Sequence, residues 1–254
     1  MKDSKQRVAI VTGATGGIGF AVAKRLGRDG LAVVINGIND ERGAECAEEL
    51  RADGIAAEYA GFDVTDEAAV TEHVKAIGER YGKIDALVNN AGGLGGRSRF
   101  EDMTTAFYRK VMALNLDSVF FASRAAIPYL KRGDNPTIVN YTSNAGWNAG
   151  GPGAGIYGTS KAGVHAITRA LAKDLAEYGI RVNAVSPGTI DTPFHQQIKD
   201  TKPEVFASWA NNIMLGRLGQ PDDVAGVVSF LVSKDAAFLT AETIQVGGGQ
   251  ALGI

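Results

Sequence analysis

Tyr157 and Lys161 stand four residues apart at the start of YGTSKAGVHAITRALAKDLAEYG, a segment with helical spacing of its apolar residues. On a helix, side chains at that spacing leave from one face and can serve one site. A phenol titrates near pH 10, whereas a general acid or base works best near neutrality. An ammonium about 4 Å away, at an effective dielectric near 20, offers up to ~4 kcal/mol toward the phenolate. That is roughly three pKa units before desolvation subtracts its share. Ser143 lies fourteen residues before Tyr157, in YTSNAG, where its hydroxyl could hold a carbonyl oxygen. Asn115, in MALNL, is a poor residue for a helix interior, so its amide is expected to interrupt the backbone ladder and hold a water beside Lys161. Singly, each has a plain alternative: a surface tyrosine, a solvated lysine, a strand-capping serine, a satisfied core asparagine. Together they describe proton transfer at an oxygen.

A second group sits near the start, where VAIV is followed by TGATGGIG over residues 12–19 and then by an amphipathic segment. Gly13 suits the tight turn, Gly17 leaves the backbone open to a pyrophosphate, and Gly19 lets helix pack on strand. From Ile18 onward the first N–H groups of the helix lack backbone partners and suit phosphate, with Thr15 adding a hydroxyl. Asp63, after the third strand, could accept from an adenine amino group, and Asp66 reads as a helix N-cap. After the fourth strand comes Asn89-Asn90-Ala91-Gly92; Gly92 lets the backbone pass close to a cofactor, and the asparagines bind either ligand or backbone. These signals point to nucleotide binding, and an oxidised nicotinamide would add its positive charge to that of Lys161.

Such residues converge only if the chain brings strand ends together. Strand-like runs fall at Val8 to Val11, Ala32 to Ile35, Ala56 to Tyr59, Ala86 to Val88, Thr137 to Asn140, Arg181 to Val185 and Thr243 to Val246. Helical periodicity fills 18–28, 41–52, 66–80, 104–131, 157–177 and 222–232. The alternation predicts an α/β fold: one doubly wound, Rossmann-type, seven-stranded parallel sheet with helices on both faces, in a single domain spanning 1–254, its ligand crevice at the carboxyl ends of the strands. Two long irregular stretches, 92–100 and 188–219, are expected to be functional loops.

Composition agrees. The 254 residues are 45% apolar and 21% charged, with a net charge of −2 that argues against a nucleic-acid partner. One cysteine, Cys46, makes neither an internal disulfide nor a thiolate metal site and reads as a small helix residue. The charged start has no apolar leader and no run reaches the ~18 residues of a membrane span, so a cytoplasmic location without membrane association is expected.

Taken with NNAG at 89–92, YGTSK at 157–161, NAVSPGTIDT at 183–192, GRLGQPDDVA at 216–225 and VGGG at 246–249, the chain resembles the short-chain dehydrogenase/reductase family over essentially its whole length. The likeness is greatest to its 3-oxoacyl carrier-protein reductase and sugar or polyol dehydrogenase branches. The resemblance implies a catalytic tetrad of Asn115, Ser143, Tyr157 and Lys161: Tyr157 as acid/base, Ser143 polarising the carbonyl, Lys161 binding ribose and lowering the tyrosine pKa, Asn115 supporting a relay water. It implies cofactor contacts at Gly13, Thr15, Gly17, Ile18, Asn36, Asp63, Val64, Asn90, Gly92, Tyr157 and Lys161. Further contacts would come from Pro187, Gly188, Ile190 and Thr192 at the nicotinamide carboxamide. The implied activity is interconversion of a secondary alcohol and a ketone, on a small-molecule substrate or an acyl carrier thioester, by a homotetramer. A non-catalytic NAD(P)-binding redox sensor is the alternative.

For the cofactor, NAD enzymes usually place an acid at the end of the second strand, and NADP enzymes a base there or in the glycine turn. Here the residues are Asn36-Gly37-Ile38-Asn39-Asp40, and Gly16 stands where an arginine often sits. Asp40 reads as a cap or a ribose ligand. With no acid at Gly37, room is left for a 2′-phosphate near Asn36, Asn39 or Arg42, which favours NADP slightly over NAD. The substrate is expected between 93–100, 144–156 and a lid over 193–215. Arg97 is either a binder of substrate carboxylate or phosphate or a solvated charge, Trp147 and Asn148 are wall candidates, and His195 is a lid residue without a catalytic role.

Overall fold

The structure is a computed structural model that describes residues 6–250; the charged start at 1–5, read above as lacking an apolar leader, lies outside the described residues. The elements run β1 (Val8–Val11), α1 (Gly17–Arg28), β2 (Ala32–Gly37), α2 (Asp40–Ala52), β3 (Ala57–Gly61), α3 (Glu67–Tyr81) and β4 (Ala86–Asn89). They continue with α4 (Thr105–Met112), α5 (Ser118–Leu130), β5 (Thr137–Tyr141), α6 (Ala145–Asn148), α7 (Gly155–Leu175) and β6 (Arg181–Pro187). Last come α8 (Gln196–Thr201), α9 (Pro203–Ser208), α10 (Pro221–Val232) and β7 (Thr243–Val246). The seven strands form one parallel sheet in the order β3-β2-β1-β4-β5-β6-β7. The order reverses between β1 and β4, and a doubly wound sheet opens its crevice at that switch point.

Strand alternation divides the core. Ala9, Val11, Val33, Ile35 and Val88 pack against Val22 and Leu26 of α1, Leu50 of α2 and Val228 of α10. Their neighbours Val8, Ile10, Val34 and Leu87 face Val74 of α3, Ala126 of α5 and Ala172 of α7. Burial on both faces explains the near-continuous apolar strands. Among the described residues no helix is long and apolar enough to cross a membrane.

The interruption expected at Asn115 is present, as a π-helical turn at Ala113–Asp117 between α4 and α5, within the helix expected over 104–131. Its cause is Asn115, whose Nδ2 donates to the Val111 carbonyl and displaces the usual backbone bond. The cap of α2 is Asn39, not Asp40: the Asn39 side chain accepts from the Arg42 N–H, while Asp40 accepts from the Tyr59 hydroxyl. Asp66 caps α3 as expected, through the Ala68 and Ala69 N–H groups. The stretch 188–219 holds the short helices α8 and α9 where a loop is expected; Pro203 starts α9, and Phe206 packs edge-on against Trp209 and at a tilt against His195.

Candidate active site

The cleft begins at the turn between β1 and α1. Gly13 adopts φ 62°, and a Cβ there would lie 2.8 Å from the Ala91 Cα, so the two strand ends meet only without a side chain. The first turn of α1 carries no acid and its cap position no side-chain hydrogen bond. Its N–H groups therefore face the cleft and suit an anion. Gly13, Thr15, Gly16, Gly17, Ile18 and Gly19 line one end of a cavity of about 710 Å³, Ser143, Tyr157, Lys161 and Gln250 line a second, and Phe194 and His195 follow the Thr192–Pro193 segment that lies against Gly17.

At that second end α7 is positioned by a buried polar chain. Asn89 Nδ2 donates to Ser123 Oγ and to Asn140 Oδ1, and Asn140 Nδ2 donates to Thr168 Oγ1 on α7. Lys161 is 3% exposed, and its Nζ donates to the Tyr141 carbonyl at 2.9 Å. Burial pushes the lysine down to about 8. Asn115 Oδ1 accepts from the Gly93 N–H, and its Nδ2 donates to the carbonyls of Gly93 and Val111. Both its N–H groups are thus committed, which leaves the second lone pair of Oδ1 as its remaining acceptor. A Cβ on Gly92 would come 2.8 Å from that oxygen and 2.9 Å from Lys161 Nζ, so Gly92 brings the pair together.

Ser143, just beyond β5, draws the Tyr157 phenol down and accepts from the Ala145 N–H at 3.1 Å. The expectation of a lowered phenol fails for the chain by itself. Burial pushes Tyr157 up, with Ser143 pulling it back only in part. Lys161 Nζ lies 5.8 Å from the tyrosine ring centre and points at Tyr141 instead.

The other sequence candidates divide. Gly13, Thr15, Gly17, Ile18, Asn90, Gly92, Pro187, Gly188, Ile190 and Thr192 line the cleft. Asn90 does so while its Nδ2 ties to the carbonyls of Thr12 and Gly13. Asn36, Asp63 and Val64 do not line it. Asn36 is 1% exposed, its oxygen accepting from the Gly13 N–H and its nitrogen donating to the carbonyls of Ala60 and Phe62. It shapes the glycine turn from below rather than meeting a 2′-phosphate. Asp63 accepts from the N–H and hydroxyl of Thr65, and Val64 is buried in the core. Gly37 does not leave the expected room, because a Cβ there would lie 2.5 Å from the Thr15 methyl: Thr15 already fills the space. Arg42 lies over the turn instead, Nε toward the Thr15 carbonyl at 3.4 Å.

Arg97 lies outside the cavity lining and donates to the Pro152 carbonyl, while Ser98 N–H donates to the Gly153 carbonyl. The two walls at 93–100 and 144–156 are therefore stitched together. Trp147 is exposed with its ring 4.3 Å from that of His165, and Asn148 lines the cleft. His195 lines it too, packed against Phe194 and Trp209. Sequence reading missed Thr189, Phe194 and Gln250; only their proximity to the PGT and VGGG segments hinted at them.

The class this fold and cleft define is a dinucleotide-dependent oxidoreductase. A family model described as enoyl-(acyl carrier protein) reductase matches residues 13–251. Cyclopentanol dehydrogenase of Comamonas testosteroni is 37% identical, over 96% of this chain and 96% of its own. An actinorhodin polyketide ketoreductase variant with NADPH superposes at a TM-score of 0.90, with 35% identity over 99% of each chain. A gluconate 5-dehydrogenase from Burkholderia cenocepacia, in complex with NADP and tartrate, gives a TM-score of 0.90 and 32% identity over 98% of this chain and 96% of that one. The chain belongs to the short-chain dehydrogenase/reductase family, and its reaction is NAD(P)-dependent oxidoreduction between alcohol and carbonyl.

Proposed function

We propose that the protein reduces a ketone to a secondary alcohol, or the reverse, with Tyr157 as general acid/base. The supporting observation is that Ser143, Tyr157 and Lys161 line the same cleft as the glycine turn. When bound, the nicotinamide supplies or takes up the hydride. The Tyr157 hydroxyl gives or receives the proton at the substrate oxygen, and Ser143 Oγ donates to the same oxygen to hold it. Lys161 binds ribose and returns positive charge to the phenol, and Asn115 orients a relay water. A redox sensor would not need Ser143, Tyr157 and Lys161 gathered in one cleft. A fluorescence titration with NADH and NADPH, then a carbonyl panel followed at the nicotinamide band, tests the reading. Tyr157→Phe should keep cofactor affinity within about threefold and lose turnover by at least about 100-fold, the scale of general acid/base catalysis. Retained turnover would sink it.

The cleft suits an uncharged substrate. Lys199 pairs with Asp191, Arg217 pairs with Asp223 at 2.7 Å, and Arg97 is engaged by Pro152, and among the described residues no charged side chain but Lys161 and His195 lines the cavity itself. NADP is favoured over NAD through Arg42, which reaches the glycine turn from α2 while its Nη1 pairs with Glu45 at 2.9 Å in a solvent-exposed ion pair that a phosphate can displace. Arg42→Ala should weaken NADPH by roughly tenfold, the scale of one exposed charge-assisted bond, and leave NADH unchanged. Equal loss for both cofactors would remove that preference. A homotetramer rests on the family resemblance, and the solution mass is the test.

A further inference from the structure

Gln250 lies beyond β7, in the turn closed by its own N–H on the Gly247 carbonyl, and its side chain reaches back to the cleft. Oε1 accepts from the Thr189 N–H at 2.8 Å, from the Thr189 hydroxyl at 3.2 Å and from Asn144 Nδ2 at 3.4 Å. Nε2 faces the Thr189 hydroxyl at 2.8 Å. The Thr189 N–H is a donor that cannot change role, so it fixes which end of the glutamine amide faces it. That orientation in turn fixes the amide of Asn144, whose Oδ1 is left buried with no hydrogen-bond partner. A buried orphan acceptor is costly and persists only where its surroundings dictate it.

Position 188 has adapted to the same contact. A Cβ on Gly188 would lie 2.6 Å from Gln250 Oε1. From the other side, the Asn144 N–H donates to the Pro187 carbonyl at 3.3 Å. Three separate segments therefore meet at one amide: the residue after Ser143, the segment after β6, and the turn after β7. The first is the wall bearing the serine, and the second is the floor at the implied carboxamide end of the cofactor.

We propose that Gln250 is a positioning residue that clamps the Gly188–Thr189 floor to the Ser143–Asn144 wall and so fixes how far the carbonyl-holding hydroxyl stands from the hydride-bearing ring. An anchor for the chain end alone would need only Thr189; the added link to Asn144 ties it to the serine wall. Hydride transfer is steep in that distance, and a misplacement of about 1 Å costs roughly 100-fold. Binding is less sensitive, since the glycine turn holds the far end of the dinucleotide.

Three variants test the clamp. Gln250→Leu removes all the polar contacts, Gln250→Asn is too short to reach Thr189, and Gln250→Glu keeps the accepting oxygen. The readouts are melting temperature, affinity for NADPH and NADH by fluorescence titration, emission of bound NADPH, and kcat and KM on one ketone. The leucine and asparagine variants should lose roughly 10- to 100-fold in kcat. Their emission from bound NADPH should change while cofactor affinity falls less than about tenfold. The glutamate variant should recover kcat to within about fivefold and restore the emission. Unchanged kcat in the leucine or asparagine variant would overturn the proposal. So would equal loss in all three, or a loss wholly accounted for by a fall in melting temperature. If the leucine variant does not fold, the asparagine and glutamate pair decides.

Discussion

Lys161 Nζ donates to the Tyr141 carbonyl at 2.9 Å while standing 5.8 Å from the centre of the Tyr157 ring, so the chain itself parks the ammonium beside the phenol rather than on it. The position is costly, because burial pushes the lysine down to about 8. Unfolded, a lysine holds its proton to about pH 10.4. Between those values the unfolded chain binds a proton that the folded chain has released, so stability rises with pH across that window. Below it both states are charged and the full penalty of burial is present. Lys161→Met abolishes the titration. Relative to that variant, the parent should gain melting temperature from pH 7 to about pH 9.5. Parallel melting curves across that range would show that Lys161 is not desolvated as described.

Ser143 is the one group that pulls the Tyr157 phenol down against burial. Ser143→Ala should therefore act twice. It removes a donor to the substrate oxygen, lowering kcat by roughly 100-fold with little change in KM. It also raises the phenol further, so the limb of the pH–rate profile that reports Tyr157 should move to higher pH. A limb that stays in place would mean that the serine acts on substrate alone.

The sheet and most of the cleft are legible in the amino-acid sequence because their signals are local. Strand, glycine turn and helix follow one another in the chain, and Tyr157 and Lys161 share a helix face by spacing alone. The residues misread are those decided by a distant partner. Asn36 looks like a cofactor ligand at a strand end, yet the N–H of Gly13 and the carbonyls of Ala60 and Phe62 claim its amide. Gly37 looks like open room, yet Thr15 fills it. Asp40 loses the cap to Asn39 because Tyr59, from β3, takes its carboxylate. Gln250 carries no local signal beyond following VGGG, and its partners stand 61 and 106 residues away.

Gly92 offers a steric test of the site. A methyl there would sit 2.8 Å from Asn115 Oδ1 and 2.9 Å from Lys161 Nζ. Neither group can yield easily: the asparagine is held by three hydrogen bonds, and the lysine is packed between α7 and β5. Gly92→Ala should lower kcat/KM by roughly 100-fold, the cost of a small displacement at the chemistry. Substitution at Gly226 in α10, where φ is not positive and a Cβ meets nothing closer than 3.9 Å, is the control for a simple loss of glycine, with melting temperature as its readout. Equal activity of parent and Gly92→Ala would show that the two side chains need not be so close.

Arg97 gives the sharpest separation between binding and bracing. Its guanidinium donates to the Pro152 carbonyl at 2.9 Å, and the adjacent Ser98 N–H donates to the Gly153 carbonyl at 3.0 Å, so the two substrate walls move as one piece. A brace serves every substrate, whereas an anion binder serves only acids. Arg97→Ala should raise KM about three- to tenfold for a neutral keto ester and for its free acid alike, leaving kcat within about twofold. Such a pattern is loss of uniform binding. Michaelis curves for the matched pair decide it. A rise in KM confined to the acid would assign the guanidinium to a substrate carboxylate and would also count against an uncharged substrate for this cleft.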